Sequence, residues 1–176
     1  DVFLEKEGFS LDVSAEKRNN LFVAELNFPA VIQQYKIVDK RGIDLMVKLE
    51  VYKPAWNLSH EPDVLSLYGY NFSAVLLARQ NAASEKLAAL LNRKRGRDIY
   101  DILFMLKKKF PFDESVLKAN GIDVPFKDAI LGHLNGLSKE ELKHSANQVK
   151  PFLFKEDDIA LVLNAPLYAE KFLKEY

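Results

Sequence analysis

The chain has 176 residues, 48% of them hydrophobic, and its 25 basic side chains balance 25 acidic ones to a formal net charge of zero; this is the composition of an ordinary globular chain, and it excludes a broad polyanion-binding surface, which needs clustered Lys and Arg. The absence of cysteine removes disulfides, thiolate metal sites and cysteine nucleophiles, and three scattered histidines, His60, His133 and His144, leave little for a zinc site. No stretch approaches the ~20 apolar residues of a membrane span and the opening residues lack a basic-then-apolar leader, so the expected location is cytoplasmic, with no membrane partner.

The chain opens at Asp1 in a helix-like run, Val2-Phe3-Leu4-Glu5-Lys6, which reads as an element entered in mid-course. The expectation is therefore a piece of a longer protein. Residues 1–80 carry the period-two signals. Weak strand character over Gly8–Val13 is followed by a strand from Leu21 to Phe28, stopped at Pro29 because proline cannot donate to a ladder. Asp39-Lys40-Arg41-Gly42 has turn chemistry. Beyond it, Leu45, Val47, Leu49 and Val51 alternate with Met46, Lys48, Glu50 and Tyr52, which predicts a strand with a core face and a charged face. A further strand is expected around Tyr68–Phe72. Connections this short imply a mostly antiparallel sheet.

From Ala74 the spacing changes to three and four. Leu87, Leu90 and Leu91 form one stripe and Ile99, Ile102, Leu103 and Leu106 another, with Gly96 as the break between two helices. Lys107, Lys108 and Lys109 suit the negative end of the second, and Pro111 stops it. Shorter helices are expected at Glu114–Ala119 and Phe126–Leu134, and another opens at Ser138 with Glu141 at capping-box spacing. A last helix spans residues 157–175, kinked or divided at Pro166. The fold class is α+β: a sheet region over 1–80 packed on a helical region over 81–176 as one body.

The stretch Glu85–Asp101 carries most of the chemistry. The second helix is apolar around nearly its whole circumference, which predicts burial, yet Asp98 and Asp101 lie on it one turn apart. A buried carboxylate must be paired, hydrogen-bonded or bound to a cation. Lys86 and Arg93, seven apart on one face of the preceding helix, and Arg97 are the available partners. Two readings stand side by side. In one, these residues form an ion-pair network that locks two helices within a non-catalytic binding or scaffold module. In the other, Lys86 and an arginine face nucleotide phosphates while the acids hold Mg²⁺ or orient the basic groups.

Glu50 also has two readings, a solvated strand carboxylate with cross-strand charge partners or a metal ligand supplied from mid-strand. The basic cluster Arg93-Lys94-Arg95 with Arg97 reads as a solvated helix end or a phosphate contact. The three histidines are expected at the surface. Trp56, Tyr68 and Tyr70 read as core or loop packing, with base stacking as the competing use.

The run Lys86-Leu87-Ala88-Ala89-Leu90, then Arg93, then Arg97-Asp98-Ile99-Tyr100-Asp101, resembles the signature of the AbiEii nucleotidyltransferase toxins, within the DNA polymerase beta-like nucleotidyltransferase superfamily. The strand Val47-Lys48-Leu49-Glu50-Val51 is similar to the family's acid-bearing strand. The resemblance implies a toxin of an abortive-infection, type IV toxin–antitoxin system that transfers a nucleoside monophosphate from an NTP to an RNA (tRNA) or protein acceptor, with Mg²⁺ as cofactor and an antitoxin protein as partner. It further implies Lys86, Asp98 and Asp101 as catalytic residues, Arg93 and Arg97 as phosphate or cofactor contacts, and Glu50 as a metal carboxylate. The family's glycine-rich motif and Asp-x-Asp pair are not present as expected; Phe9-Ser10-Leu11-Asp12-Val13-Ser14 has Ser14 where the second acid would stand. The expectation is an N-terminally truncated chain, inactive alone.

Overall fold

The computed structural model describes residues 6–37, 43–93, 95–153 and 155–176. Within them the α+β class holds: antiparallel strands precede most of the helices. The strands form two sheets, and the chain divides into two compact units, Asp1–Ala55 and Trp56–Tyr176. The division falls well before the change of periodicity near residue 80, because a hairpin belongs to the second unit.

In the first unit, β1 (Asp12–Arg18), β2 (Leu21–Phe28) and β3 (Leu45–Tyr52) pair antiparallel in the order β1-β2-β3. β2 and β3 occupy the expected ranges, whereas β1 begins about where the weak strand signal ended. Asn19 turns β1 into β2 with a left-handed φ of 53°, a conformation asparagine tolerates. A four-residue helix, α1 (Val31–Gln34), follows β2. The register Val13–Leu26–Val47, Ala15–Ala24–Leu49 and Lys17–Phe22–Val51 gathers an apolar face. The register Ser14–Glu25–Lys48 and Glu16–Val23–Glu50 gathers a charged one. The alternation is as expected, but the apolar row is not a core: Leu49 is 53% exposed and Val51 61%. A single sheet buries a face only where another layer lies on it. The predicted turn over Asp39–Gly42 and the helix-like opening run through Glu5 lie outside the described residues.

The second unit starts with the hairpin β4 (His60–Leu67) and β5 (Tyr70–Leu77), closed by Tyr68 and Gly69 at φ 51° and 82°. Two positive-φ residues in a two-residue loop match the twist of the strands. The strand expected around Tyr68–Phe72 is β5, displaced toward the C-terminus, and β4 carried no clear signal because His60-Glu61-Pro62-Asp63 lacks alternation. Tyr68 is 98% exposed and Tyr70 is exposed as well, so the packing expected of them is not what they do.

Helices α2 (Arg79–Asn92) and α3 (Gly96–Lys107) follow, then α4 (Glu114–Ala119), α5 (Phe126–Asn135), α6 (Lys139–Val149), α7 (Ile159–Leu163) and α8 (Ala165–Leu173). Their apolar stripes meet as expected: Leu87, Leu90, Ile102, Leu103, Leu106, Ile130, Leu134 and Val162 are fully buried in one cluster. Phe104 is the exception to the all-round burial expected of α3, being 43% exposed. The capping box at α6 is present, with Glu141 N donating to Ser138 Oγ and Ser138 N to Glu141 Oε2. The last helix is divided at Asn164, one residue before α8, whose second residue is Pro166.

Two local features position α2 and α3. Gly96 is buried where α3 starts, and a Cβ there would stand 2.1 Å from the Ser145 carbonyl oxygen on α6, so only glycine allows that approach. Asn81, buried on α2, accepts from Ser59 N at 2.6 Å and donates to Asp113 Oδ2 at 3.0 Å. Asp113 in turn caps α4 through Ser115 N and Val116 N, and its hydrogen bond from Ser115 holds the carboxyl below its usual range.

Candidate functional site

The helical periods of α2 and α3 bring four of the predicted residues together. Lys86 projects from α2, and Arg93, the residue that ends that helix with a non-helical backbone, joins it at the first turn and a half of α3. Lys86 Nζ lies 2.8 Å from Asp101 Oδ2 and 3.5 Å from Asp98 Oδ1. Arg93 Nη2 reaches the same Asp98 Oδ1 at 3.5 Å. Asp98 sits in the first turn of α3, where the helix dipole favours negative charge.

The two acids have different surroundings. Asp98 is wholly buried, while the Asp101 side chain is 36% exposed and that of Lys86 25%. Both cations crowd onto one oxygen of Asp98; its other oxygen, Oδ2, is buried with no hydrogen-bond partner among the described residues. Arg97 points to solvent and makes no ion pair among the described residues. Beside Asp101, burial and the nearby Asp158 carboxylate, which accepts from the phenol at 3.5 Å, push the Tyr100 hydroxyl above its ordinary pKa.

Glu50 lies in the first unit, on the charged face of its sheet. It shares Lys48 with Glu25, at 3.4 Å and 3.5 Å, all three being substantially exposed. The Lys48–Glu25 pair crosses from β3 to β2, whereas Lys48 and Glu50 pair along β3 itself, both on a solvated strand surface. The histidines behave as surface groups in two cases: His60 is exposed, and His144 is exposed and bonded to Gln148 at 3.0 Å. His133 is half-buried, lining with Leu90, Ile99, Leu137 and His144 a cavity of about 380 Å³. Neither Lys86, Asp98 nor Asp101 lines it.

The residues do not fit a divalent cation on their own. Asp98 and Asp101 are already compensated by Lys86 and Arg93, and no group of three or more His, Asp or Glu side chains capable of holding a metal occurs among the described residues. Mg²⁺ needs oxygen ligands that are free to turn to it. What the cluster offers is a pair of convergent cations: each nitrogen lies 3.5 Å from the same oxygen, so they are within twice that distance of each other.

One supporting group escaped the sequence reading. Glu85, adjacent to Lys86, accepts from Trp56 Nε1 at 2.8 Å and from Asn120 Nδ2 at 3.1 Å, tying α2 to the start of the second unit and to α4. Its signal was an acid with no base three or four residues away: positions 81, 82, 88 and 89 are Asn, Ala, Ala and Ala.

A family model described as the nucleotidyl transferase AbiEii toxin of type IV toxin–antitoxin systems matches residues 4–158, which takes in β1 through α6 and every candidate site residue. The chain belongs to the AbiEii family. Membership assigns a nucleotidyltransferase-type toxin role in general terms, and a toxin–antitoxin system implies an antitoxin partner. No curated protein and no solved structure gives a significant match. In this AbiEii chain the four residues of the resemblance that cluster lie on two consecutive helices, Lys86 on α2 with Arg93 at its C-terminal end, and Asp98 and Asp101 on α3. No helix among the described residues is long and apolar enough to cross a membrane.

Proposed function

We propose that the Lys86–Arg93–Asp98–Asp101 cluster is the phosphate-handling part of a nucleotidyl-transfer site that moves a nucleoside monophosphate from an NTP to a hydroxyl of an RNA or protein acceptor. The observation that carries this reading is the convergence of Lys86 and Arg93 on one buried carboxylate oxygen, in a chain whose family transfers nucleotides. In the transfer, the acceptor hydroxyl oxygen bonds to the α-phosphorus as its proton passes to solvent, the bond to the bridging oxygen breaks, and pyrophosphate leaves with the accumulated negative charge. Lys86 and Arg93 neutralise that charge where it develops, which preorganised cations do without reorganising at the moment of reaction. Arg97, exposed at the mouth of the helix pair, adds a phosphate contact. Asp98 and Asp101 are the acids that set where Lys86 and Arg93 sit. No step is assigned to a metal.

Protein from the complete gene, incubated with radiolabelled NTP and cellular RNA or protein, is expected to label an acceptor. Lys86→Ala and Asp98→Ala are each expected to abolish that labelling. Full activity in both variants would sink the assignment.

A second reading, a scaffold in which the cluster only locks two helices, is favoured by the complete burial of Asp98. The readings part on Lys86: its replacement abolishes nucleotide binding under the first and changes only stability under the second.

A further inference from the structure

We propose that the two acids act on the cations in different ways: Asp98 is the fixed counter-ion that holds Lys86 and Arg93 together, and Asp101 is an exchangeable one that occupies, on Lys86 Nζ, the place a phosphate oxygen takes. Asp98 and Asp101 are thus positioning residues. This rests on the phosphate-handling reading above.

The geometry separates them. Lys86 makes its short contact, 2.8 Å, to Asp101, the acid open to solvent, and only a long one, 3.5 Å, to Asp98, the acid that is not. An ion pair exposed to water is weakly held and readily exchanged. A buried carboxylate cannot give up its cations, because an uncompensated charge in the interior is far costlier. The contact nearer in space is therefore the one more easily released.

The unpartnered oxygen of Asp98 supplies a reason for the exchange to go forward. While Lys86 leans toward Asp101, Asp98 Oδ2 is buried and unsatisfied, a state that carries a desolvation cost. When a phosphate oxygen replaces Asp101, Lys86 is free to close on Asp98 and use the lone pairs left open. An ammonium group has three donors, enough for Asp98 and a phosphate together. Arg93, held by the same Asp98 oxygen, presents the second positive charge beside the first. The ligand class that suits two convergent cations less than twice 3.5 Å apart is a di- or triphosphate, whose neighbouring phosphoryl groups carry charge at comparable spacing.

The test is calorimetric titration of the full chain with inorganic pyrophosphate at low ionic strength, below the unfolding temperature of each variant. Asp101→Asn removes the competing charge and is expected to tighten binding about two- to fivefold, the scale of one exposed ion pair. Asp98→Asn is expected to weaken it by about tenfold or more, since Lys86 and Arg93 lose their anchor. Lys86→Met is expected to eliminate it. Opposite signs for the two acids are what a merely structural role would not produce. A second readout needs no phosphate: acetylation of the Lys86 amine by acetic anhydride, followed by peptide mass spectrometry, is expected to run faster in Asp101→Asn than in the unsubstituted chain. Should Asp98→Asn fail to fold, the Asp101→Asn titration and the acetylation rate decide the matter. Pyrophosphate binding that depends on Lys86 but is unchanged or weaker in Asp101→Asn overturns the exchange and leaves the phosphate-handling reading standing. No binding, or binding that survives Lys86→Met, overturns that reading and this inference with it.

Discussion

The sheet of the first unit and the helices of the second solve the same problem with unequal success. Both are amphipathic by sequence, one at period two and the other at three and four. The helices close on one another: Leu87, Leu90, Ile102 and Leu103 are fully buried. The apolar row Leu45, Val47, Leu49 and Val51 remains open, although its alternation is the cleaner pattern. A pattern says which face wants burial; only a second layer provides it. The candidate chemistry follows the same division. Lys86, Arg93, Asp98 and Asp101 are held by packed helices, and Glu50 stands on an exposed strand face with Lys48.

Substitutions sharpen this contrast in descending order of effect. Asp98→Ala leaves Lys86 and Arg93 without their buried partner and is expected to cost about 3–5 kcal/mol, read from denaturant unfolding followed by the fluorescence of Trp56, the single tryptophan. Leu103→Ala, in the helical core, is expected to cost about 2–5 kcal/mol by the same probe, whereas Leu49→Ala in the open row is expected to cost less than ~1 kcal/mol, measured by hydrogen exchange of the β2–β3 amides. Equal losses at the two leucines would break the comparison, by showing that the row is covered in solution. Gly96→Ala forces a methyl group against the Ser145 backbone and is expected to lower stability by about 1–3 kcal/mol, again through the Trp56 transition.

Smaller effects complete the series. The Tyr176 hydroxyl, which donates to the carbonyl oxygens of Phe110 at 2.9 Å and Met105 at 3.4 Å, is pushed up to about 12 by burial. Its unfolded counterpart titrates near ~10, so the unfolded state releases its proton first as pH rises. The stabilisation is therefore intact below pH ~10 and is lost as pH climbs toward ~12. Tyr176→Phe is expected to flatten the fall of melting temperature across that window. Glu50→Gln is expected to change stability by less than ~1 kcal/mol, because the ion pair it breaks is exposed; a larger loss in a thermal melt would mean that Glu50 has a partner beyond Lys48.

Much of this was legible from residue order. Pro29, the alternation from Leu45, the stripes on either side of Gly96, the Ser138–Glu141 box and the break near Pro166 are local effects, set by a residue's own backbone preferences or by neighbours three or four positions away, and they reappear in place. The meeting of Lys86 with Asp98 and Asp101 was legible too, since two adjacent helices with marked apolar stripes have few ways to pack. The hairpin β4–β5 was partly hidden, because its strands are exposed and so lack a one-sided pattern. Tyr68 and Tyr70 were misplaced for a related reason: an aromatic residue reads as core unless the turn that carries it outward is recognised.

The sequence by itself determined the class and most helix and strand periods, which follow from composition, spacing and short-range geometry; its motif carried the resemblance to the family and named five charged residues, of which four cluster. The tertiary structure decided what spacing cannot express. It buried Asp98 and left Asp101 open although they are one turn apart, made Gly96 necessary through a contact with α6, enlisted Glu85 through Trp56 and Asn120, and left one apolar row uncovered. Burial depends on which surfaces meet across the fold, and a side chain's cost or use as a charge depends on burial.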